Sequence, residues 1–414
     1  MEEKNSEKKE RKMRDSGIPW IGEVPEGWEF SKIKYHCTMK SGDNITALDI
    51  SDNGEYPVYG GNGLRGFYKI YNKNGNHILI GRQGALAGNV HLVNGKFWAT
   101  DHAVIVTLKN DVFINYFFRM LESMNLNQYA FDTAAQPGLS VSRIMNLNIV
   151  LPNLKEQHRI ADFLGSKCSE IDTLIENLRA RMESAKEYKK AVITEAVTKG
   201  LDKDAKMKDS GVEWIGEIPE GWKVVRFKHI ASIKSNLVQP DKYMKYPQIA
   251  PDNIEKDTGR LLPHQTVEES GVISGNHLFY RGQILYSKIR PNLNKLTVAP
   301  FDGLCSADMY PIESKLPTLF MVYSMLSTYF VSQVSLIIQD RVKMPKINQE
   351  ELGEIKVAVP SQQEMLTIAD YLDSKCSEID ALLQNYEYQI ATLEEYKKSL
   401  IYEYVTGKKE VPEA

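Results

Sequence analysis

The chain has 414 residues and a formal net charge of −3 at pH 7, with 42% hydrophobic and 25% charged residues. This length allows two globular domains, each with its own core. Four cysteines without a CxxC spacing argue against a disulfide framework or a zinc ribbon and favour a reducing cytoplasm. No run of residues approaches the roughly 20 apolar residues of a membrane span, and residues 1–12 lack a signal-peptide core. We therefore expect a cytoplasmic protein.

Two signatures occur twice in the chain. The first reads DSGIPWIGEVPEGW at Asp15–Trp28 and DSGVEWIGEIPEGW at Asp209–Trp222, an offset of 194 residues. The second, SKCSEID, occupies Ser166–Asp172 and Ser374–Asp380, an offset of 208. A repeat of this kind predicts two copies of one module, with matching ends around a middle that differs in length and sequence.

The first copy begins after a disordered tail predicted for residues 1–12. Residues 13–152 read as short strands and turns with one helix near Ile114–Met124, and an Asn94-Gly95 turn predicts a hairpin between the strands on either side. Residues 206–360 show the same pattern of short strands and turns, with a helix near Thr318–Ser335. Each module is thus predicted to be mixed α/β with a twisted sheet.

Long helices follow both modules, at residues 153–205 and 361–407, before a tail at 408–414. Apolar residues recur in each on a seven-residue lattice, which is the pattern of a coiled-coil seam. A helix of about 40 to 46 residues is about 60 to 70 Å long, more than a domain of about 150 residues needs. We therefore expect one antiparallel two-helix coiled coil that separates two similar domains, with a pseudo-two-fold internal repeat. The seam residues include Leu164, Ile171, Leu178, Leu372, Ile379 and Leu393.

The charge is unevenly distributed. Residues 13–150 carry 12 basic and 12 acidic side chains, residues 206–358 carry 19 and 17, and residues 359–414 carry 5 and 11. The modules can therefore approach phosphate, but tight unaided DNA binding is not expected. The acidic second helix is expected to lie away from DNA and to dock partners.

Candidate catalytic motifs are weak. The G-x-G-x-x-G match at Gly61–Gly66 precedes a strand pattern and not a helix, so a turn is favoured. Asp340 with Glu354-Ile355-Lys356 has the loose spacing of a nuclease cluster, but solvated charges are the simpler interpretation. Asp101-His102 lacks a nucleophile in a recognisable frame and is assigned to a strand end. No Walker A or Asn-Pro-Pro-aromatic motif occurs, so a recognition protein without catalytic or metal-binding residues is predicted.

The W-I-G-E-[VI]-P-E-G-W entrances, the LPNLKEQHRIADFL and VPSQQEMLTIADYL junctions and the paired long helices resemble the DNA specificity subunit of type I restriction-modification enzymes. The resemblance covers about Lys12 to Lys408. It implies two target recognition domains, each of which reads one half of a split target in double-stranded DNA, and two spacer helices that bind two methyltransferase subunits. Restriction motor subunits would complete the complex. S-adenosylmethionine, ATP and magnesium would belong to these partners, and this chain would hold no cofactor.

Base edges are read by polar and cationic side chains in loops. The loop SKIRPNLNK at Ser287–Lys295 is the strongest candidate. The candidate DNA-binding residues of the first module are Tyr59, Asn62, Arg65, Arg82, Gln83 and Gln136. Those of the second module are Asn253, Lys288, Arg290, Asn292, Asn294, Lys295, Arg341 and Lys343.

Two alternatives remain open at this point. A coiled-coil scaffold could carry end domains that bind proteins, and it would lack the salt-sensitive DNA retention that phosphate contacts produce. A nuclease built on Asp340 and Glu354 would cleave DNA by itself in a metal-dependent reaction. The bases of the target cannot be inferred from loop sequences, because base readout depends on docking geometry.

Overall fold

The architecture is that of a computed structural model, which describes residues 11–84, 87–109, 111–133, 136–341 and 343–412, without the side chains of 130–133, 136 and 137. The chain divides into two compact units, Met1–Leu178 with Tyr388–Ala414, and Arg179–Glu387. Residues 1–10 and 413–414 of the two predicted tails lie outside the described residues.

Short strands and short helices alternate in the first unit. In chain order the strands are β1 Met13–Asp15, β2 Glu23–Pro25, β3 Glu29–Lys32, β4 Cys37–Ser41, β5 Tyr56–Gly60, β6 Gly63–Tyr68, β7 Lys73–Asn74, β8 His77–Gly81, β9 Val90–Val93, β10 Lys96–Ala99, β11 Ala103–Leu108, β12 Ala130–Thr133, β13 Gln136–Leu139 and β14 Asn148–Leu151. The helices are α1 Ile33–His36, α2 Ile114–Ser123, α3 Val141–Met145 and the long α4 Leu154–Lys199. One sheet has the order β4-β11-β8-β9 and is antiparallel, and another has the order β6-β5-β10-β7 with β5 and β10 parallel.

The second unit repeats this plan. Its strands are β15 Met207–Asp209, β16 Glu217–Pro219, β17 Lys223–Arg226, β18 Ala231–Ile233, β19 Leu237–Val238, β20 Pro247–Ile249, β21 Gln265–Thr266, β22 Asn276–Phe279, β23 Ile284–Ser287, β24 Leu296–Val298, β25 Gly303–Cys305, β26 Met309–Ser314 and β27 Lys356–Val359. Its helices are α5 Phe227–Ile230, α6 Val267–Ser270, α7 Thr318–Leu326, α8 Thr328–Ile338, α9 Gln349–Glu354 and the long α10 Gln362–Val405.

The principal sheets of the two units correspond in strand order, although β12, β13 and β19 have no counterpart. The sheet β18-β26-β23-β24 matches β4-β11-β8-β9, and the parallel pair β20 and β25 matches β5 and β10. The terminal pairs β3 with β14 and β17 with β27 also correspond. The internal repeat seen in the flanking signatures therefore extends through modules whose sequences have diverged.

Each module shares its core with parts of both long helices. In the first unit Trp28, Ile78 and Phe117 are buried together with Leu164 of α4 and Leu400 of α10. In the second unit the corresponding core joins its sheets and α8 to the end of α4 and the start of α10, with Trp222, Ile284, Phe330, Val197 and Leu372. Burial on this scale supplies most of the folding free energy and joins each module to its helices.

The bounds of the long helices have local causes. Asn153 Oδ1 accepts a hydrogen bond from Glu156 N at 3.0 Å, which caps the start of α4. Gly200, with φ +74, follows the last residue of α4, and Gly407, with φ +71, lies just beyond α10. These backbone angles favour glycine and stop a helix. The resulting helices of 46 and 44 residues confirm the predicted length.

The predicted seam is buried as the lattice requires. Leu164, Ile171, Leu372 and Ile379 are buried, and Leu178 and Leu393 are half-buried. Within the first unit α4 and α10 run antiparallel, because the Phe163 ring contacts Tyr404 at 4.6 Å while Asp172, further along α4, contacts the earlier Lys397.

The predicted hairpin at Asn94-Gly95 is wrong. The two strands on either side belong to different sheets, since β9 pairs with β8 and β10 pairs with β5 and β7. Gly95 has φ +89, as the turn requires, but here the turn passes the chain from one sheet to the other. Each module accordingly contains two principal sheets and not the single twisted sheet that was expected.

The other predicted helices differ in one respect. The helix near Ile114–Met124 is present as α2, whereas the region of Thr318–Ser335 forms α7 and α8, which meet at Ser327 with a bend of 59°. Among the described residues no single helix has the length and apolar composition to cross a membrane; only this bent pair passes such a test, and only when taken together. Many of its apolar side chains lie in the core of the second unit.

Candidate nucleic-acid interface

Three chain segments meet at one edge of the first module. Arg82 follows β8, and its backbone N–H donates to His102 O at 2.9 Å, in the turn between β10 and β11. Leu139 N donates to Arg82 O at 2.9 Å, and Gln83 forms an isolated bridge with Gly138 in β13. The backbone thus fixes a loop and a strand across the end of β8.

The second module repeats the same contacts. Lys288 follows β23, and its N–H donates to Asp308 O at 3.0 Å. Ile347 N donates to Lys288 O at 3.0 Å, and Ile289 forms an isolated bridge with Lys346. The repeat is therefore preserved in backbone hydrogen bonds even where the sequence signature is lost.

These contacts define two equivalent surfaces. We call residues 82–84, 101–102 and 136–139 the first edge, and residues 288–290, 307–308 and 344–347 the second edge. Gly138 and Lys346 lie 208 positions apart, as the two copies of SKCSEID do. Most of the candidates for base contact can now be placed relative to these edges.

Arg82, Gln83 and Gln136 belong to the first edge. Arg82 and Gln83 are exposed, and Arg82 Nη1 donates to Ser41 Oγ at 3.2 Å. Gln136 begins β13, and its side chain lies outside the described part of the chain. This edge therefore brings residues from two distant segments to one place.

The turn between β5 and β6 lies beside the first edge, but it also faces the long helices. A Cβ added to Gly61 would lie 3.6 Å from Gln83 O. Tyr59 and Asn62 line an open cavity of about 530 Å³ together with Asp172 of α4. Arg65, in β6, is exposed, and its side chain folds over Gly60. The strand that follows this turn confirms that the Gly-rich motif is not a nucleotide-binding loop.

Cationic and amide side chains surround the second edge. Lys288 is half-buried, with Nζ 5.4 Å from the centroid of the Tyr310 ring. Arg290, Asn292 and Lys343 are exposed. Arg290 has φ +44, a left-handed conformation that is costly for a residue with a side chain. The loop 287–295 and the segment before α9 therefore form one surface.

Two amides predicted to contact DNA are engaged in holding loops. Asn294 is 1% exposed, and its Nδ2 donates to Met325 O at 3.1 Å. Asn253 Oδ1 accepts from Ala250 N at 2.8 Å while Nδ2 donates to Pro263 O at 2.8 Å. A buried amide with a satisfied donor is not free to read a base, so this geometry argues against a base contact by Asn294. Asn253 would have to give up both hydrogen bonds.

Two of the predicted cations are also engaged. Lys295 Nζ donates to Pro251 O at 2.8 Å, which ties its loop to the neighbouring one. Arg341 forms a bidentate ion pair with Glu351 and donates to Lys346 O. The Arg341 hydrogen bond lowers the pKa of Glu351. Arg341 stabilises the second edge and Lys295 the loop beside it, and both are less accessible to DNA than Arg290 or Lys343.

Two residues of the candidate catalytic motifs, Glu354 and His102, make contacts that hold the fold together. Glu354 pairs with Lys228 and Arg226, and the Lys228 hydrogen bond lowers its pKa. The backbone of His102 accepts the hydrogen bond from Arg82, as expected for a strand end. In the described ranges no three His, Cys, Asp or Glu side chains are grouped so that they could hold a metal ion.

One lysine in each half of the helix seam was not predicted to have a role. Lys397 Nζ donates to both carboxylate oxygens of Asp172 at 2.7 Å within the first unit. Lys189 makes the same contact with Asp380 within the second unit, also at 2.7 Å. Both lysines occupy lattice positions, so the interruption of the apolar pattern was the available signal.

Each unit also exposes one matching patch on its helix pair. In the first unit Lys167 Nζ donates to Glu170 at 2.8 Å, and this hydrogen bond raises the pKa of Lys167, with a smaller contribution from the nearby Tyr396. Leu174 is 52% and Tyr396 54% exposed. We call Lys167, Glu170, Leu174 and Tyr396 the first patch. Their repeat equivalents, Lys375, Glu378, Leu382 and Tyr188, form the second patch.

The chain is similar to known DNA specificity subunits over parts of its length. The family model of the type I restriction modification DNA specificity domain matches residues 25–184. The type I restriction enzyme EcoDI specificity subunit of Escherichia coli is 34% identical over 267 residues, 60% of this chain and 60% of that protein. The EcoprrI specificity subunit of Escherichia coli is 41% identical over 152 residues, 36% of this chain and 38% of that protein. The chain therefore matches less than two thirds of the length of either of these two relatives.

Longer matches cover nearly the whole chain. The MjaVIII specificity subunit of Methanocaldococcus jannaschii is 28% identical over 423 residues, 93% of each chain. A solved structure, titled as the structural basis of complex assembly and conformational transition of the type I R-M system, matches with a TM-score of 0.65 at 16% identity and covers 93% of this chain and 99% of its own. That structural match concerns the fold alone. The chain is thus similar in sequence to DNA specificity subunits of type I restriction-modification enzymes.

Proposed function

We propose that this chain is the sequence-specific DNA-recognition subunit of a type I restriction-modification complex. Residues 13–152 and 206–360 would be its two target recognition domains, each of which reads one half of a bipartite site in double-stranded DNA. The observation that carries this proposal is the repeated edge. The same backbone hydrogen bonds recur in both modules, while the side chains on them differ. A constant frame with variable side chains is what two readers of different half-sites require.

The charge distribution supports recognition within a complex. Basic and acidic residues are nearly balanced in both modules, so their field for phosphate is weak. Arg82 on the first edge and Arg290 with Lys343 on or beside the second are exposed. These few cations would position DNA, and the partner subunits would supply further affinity.

Catalysis and cofactors are assigned to the partners. Two methyltransferase subunits would dock on the spacer helices, residues 153–205 and 361–407, and restriction subunits would join them. S-adenosylmethionine, ATP and Mg²⁺ would be bound by those partners. The first and second patches support two equivalent docking sites, because each unit presents the same four residue types. The four buried, free cysteines are compatible with action in the cytoplasm.

Methylome sequencing tests this function. Cells that express this chain with its methyltransferase subunit should gain methylated adenines in one bipartite motif, and cells that lack only this chain should not. The purified complex should prefer a duplex with that motif over a scrambled duplex by at least 100-fold, with affinity that falls steeply as salt rises. A complex that assembles but shows no sequence preference would instead favour a protein-binding scaffold. Cleavage by the purified chain alone would favour a nuclease.

A further inference from the structure

We propose that Met344 makes an apolar contact with a base in the half-site that the second module reads. This inference rests on the proposed function and deepens it, because it adds a specificity-determining residue that no sequence motif indicated. Met344 belongs to the second edge, and its side chain is 53% exposed. An exposed, unbranched thioether side chain can adapt to an irregular apolar surface such as a base edge.

The backbone holds Met344 in a costly conformation. Its φ is +46, in the left-handed region that residues with a side chain rarely adopt. Arg290 has φ +44, and its N–H donates to Pro345 O at 2.7 Å. This hydrogen bond joins Arg290 to the residue that follows Met344, so the two strained residues lie close together across the second edge. Strain of this kind persists where the surrounding structure imposes it, and it is concentrated at functional sites.

The two modules can be compared at equivalent positions to find which part of this arrangement the backbone itself requires. Pro137 in the first module corresponds to Pro345 in the second. The equivalent of Arg290 is Gly84, which also has a positive φ, +87. The backbone therefore requires the left-handed conformation at this point in both modules. In the first module glycine satisfies this backbone geometry without strain. The arginine at the same position of the second module therefore indicates that its side chain has a role.

The position of Met344 differs between the modules in the same way. Its equivalent is Gln136, directly before Pro137 in the same bridging segment. The first module thus has an amide side chain, which forms hydrogen bonds, at the position where the second module has a thioether, which makes apolar contacts. Glutamine suits the edge of adenine, whereas an apolar side chain suits the thymine methyl group or the gap between two base steps. A single backbone position would then carry different base preferences in the two modules.

The neighbours of Met344 favour DNA over an apolar protein surface. Lys343 and Arg290 are exposed beside it, and no hydrogen bond or ion pair of the Arg290 guanidinium is found within the described ranges of the chain. A purely apolar partner would leave these cations desolvated and unpaired at a cost. A DNA groove offers phosphates and apolar base groups together, so it satisfies both kinds of side chain.

The test uses the full chain in complex with its methyltransferase subunits and duplexes that carry the motif found by methylome sequencing. Met344→Gly removes the side chain and relieves the strained backbone, so the thermal stability should not fall. We expect its Kd for the cognate duplex to rise about 5- to 50-fold, with loss of discrimination at one position of one half-site. Its affinity for a scrambled duplex and its salt dependence should not change. Leu319→Ala, at a 43% exposed leucine of the same unit, should leave every value as in the wild type.

Two further duplexes distinguish the possible apolar contacts. If Met344 contacts a thymine methyl group, replacing that thymine with uracil should weaken the wild type and not Met344→Gly. If Met344 inserts between two stacked bases, the fluorescence of 2-aminopurine placed at that step should increase when the wild type binds. It should not increase when Met344→Gly binds. Met344→Gly and Met344→Gln binding within twofold of the wild type at every position would overturn the inference, and so would lost affinity without either signature. A wild-type complex without sequence preference would instead refute the proposed function.

Discussion

Lys189 Nζ donates hydrogen bonds to both carboxylate oxygens of Asp380, each at 2.7 Å, from a lattice position inside the helix seam of the second unit. The Lys189 side chain is 10% exposed and that of Asp380 is 49% exposed. Lys397 and Asp172 repeat this contact in the first unit. A polar residue in an apolar seam reduces stability but selects one register and orientation, because only one alignment pairs it.

This asymmetry of burial predicts unequal effects of removing either partner. Asp380→Ala leaves a buried ammonium unpaired, so we expect it to lower the free energy of unfolding by about 1 to 3 kcal/mol. Lys189→Met replaces the cation with an apolar side chain of similar length and leaves only a half-exposed carboxylate, so its effect should be under about 1 kcal/mol. Urea unfolding measures both, with the exposed Lys186→Met as the control. An equal loss from the two changes would contradict this account.

Trp28 and Trp222, which end the first pair of repeated signatures, differ in one hydrogen bond. Trp222 Nε1 donates to Glu364 Oε1 at 3.0 Å, whereas buried Trp28 Nε1 has no hydrogen-bond partner among the described residues. Glu156, the equivalent of Glu364, is instead paired with Arg11. We expect Glu364→Leu to destabilise the protein by about 1 to 3 kcal/mol, because it leaves the Trp222 donor unsatisfied.

Arg11→Ala should cost less than Glu364→Leu, because it frees Glu156 to accept from Trp28. Indole N–H resonances measure this directly. The Trp28 signal should move toward that of Trp222 in the Arg11 variant. An unmoved Trp28 resonance would show that Arg11 does not compete for Glu156.

Exchange of one module should change one half of the target. Replacing residues of roughly 30–150 with the equivalent segment of a relative keeps β1, β2, the long helices and the second module. The methylated motif should then change in one half-site only, with the other half and the spacing retained. Methylome sequencing of the hybrid provides the measurement. A simultaneous change in both halves would contradict the assignment of one half-site to each module.

The two patches predict how many methyltransferase subunits assemble. Leu174→Glu with Tyr396→Glu should remove one docking site, and Leu382→Glu with Tyr188→Glu the other, since each places charge in a surface that must lose water. We expect native mass spectrometry to find one methyltransferase subunit with either double variant and none with all four changes. The control changes Lys155→Glu and Gln363→Glu lie at equivalent exposed positions in the first turns of α4 and α10. They should leave two methyltransferase subunits bound. Two bound subunits in every variant would exclude the patches as docking sites.

The cysteines should be unreactive in the folded chain. All four are buried, and burial raises the pKa of Cys37 to about 12 and that of Cys376 to about 11. Thiolate is the reactive form, so its fraction at pH 8 is very small and should increase only as the pH rises toward these values. Mass spectrometry after iodoacetamide treatment at pH 8 should show no adduct in buffer and four in 8 M urea. Rapid modification of Cys376 in buffer would indicate that the seam opens.

The sequence alone determined the features that depend on local periodicity and repetition. The duplicated signatures gave two modules, and the seven-residue lattice gave the long helices and buried Leu164, Ile171, Leu372 and Ile379. These predictions succeeded because helix period and apolar burial are properties of neighbouring residues. The exposure of Arg82, Gln83 and Arg290 also agrees with the prediction from polar loops, although their contact with DNA stays a prediction.

Only the tertiary structure decided which distant groups meet. Asn94-Gly95 specifies a turn but not the partner strands, so β9 and β10 could enter different sheets. Asn294 looks like a free loop amide until Met325 O is found beside it. The two edges likewise depend on backbone hydrogen bonds between residues 20 to 59 positions apart, such as Leu139 N to Arg82 O. Backbone donors and acceptors are the same in every residue except proline, so no side-chain pattern could specify these pairings in advance.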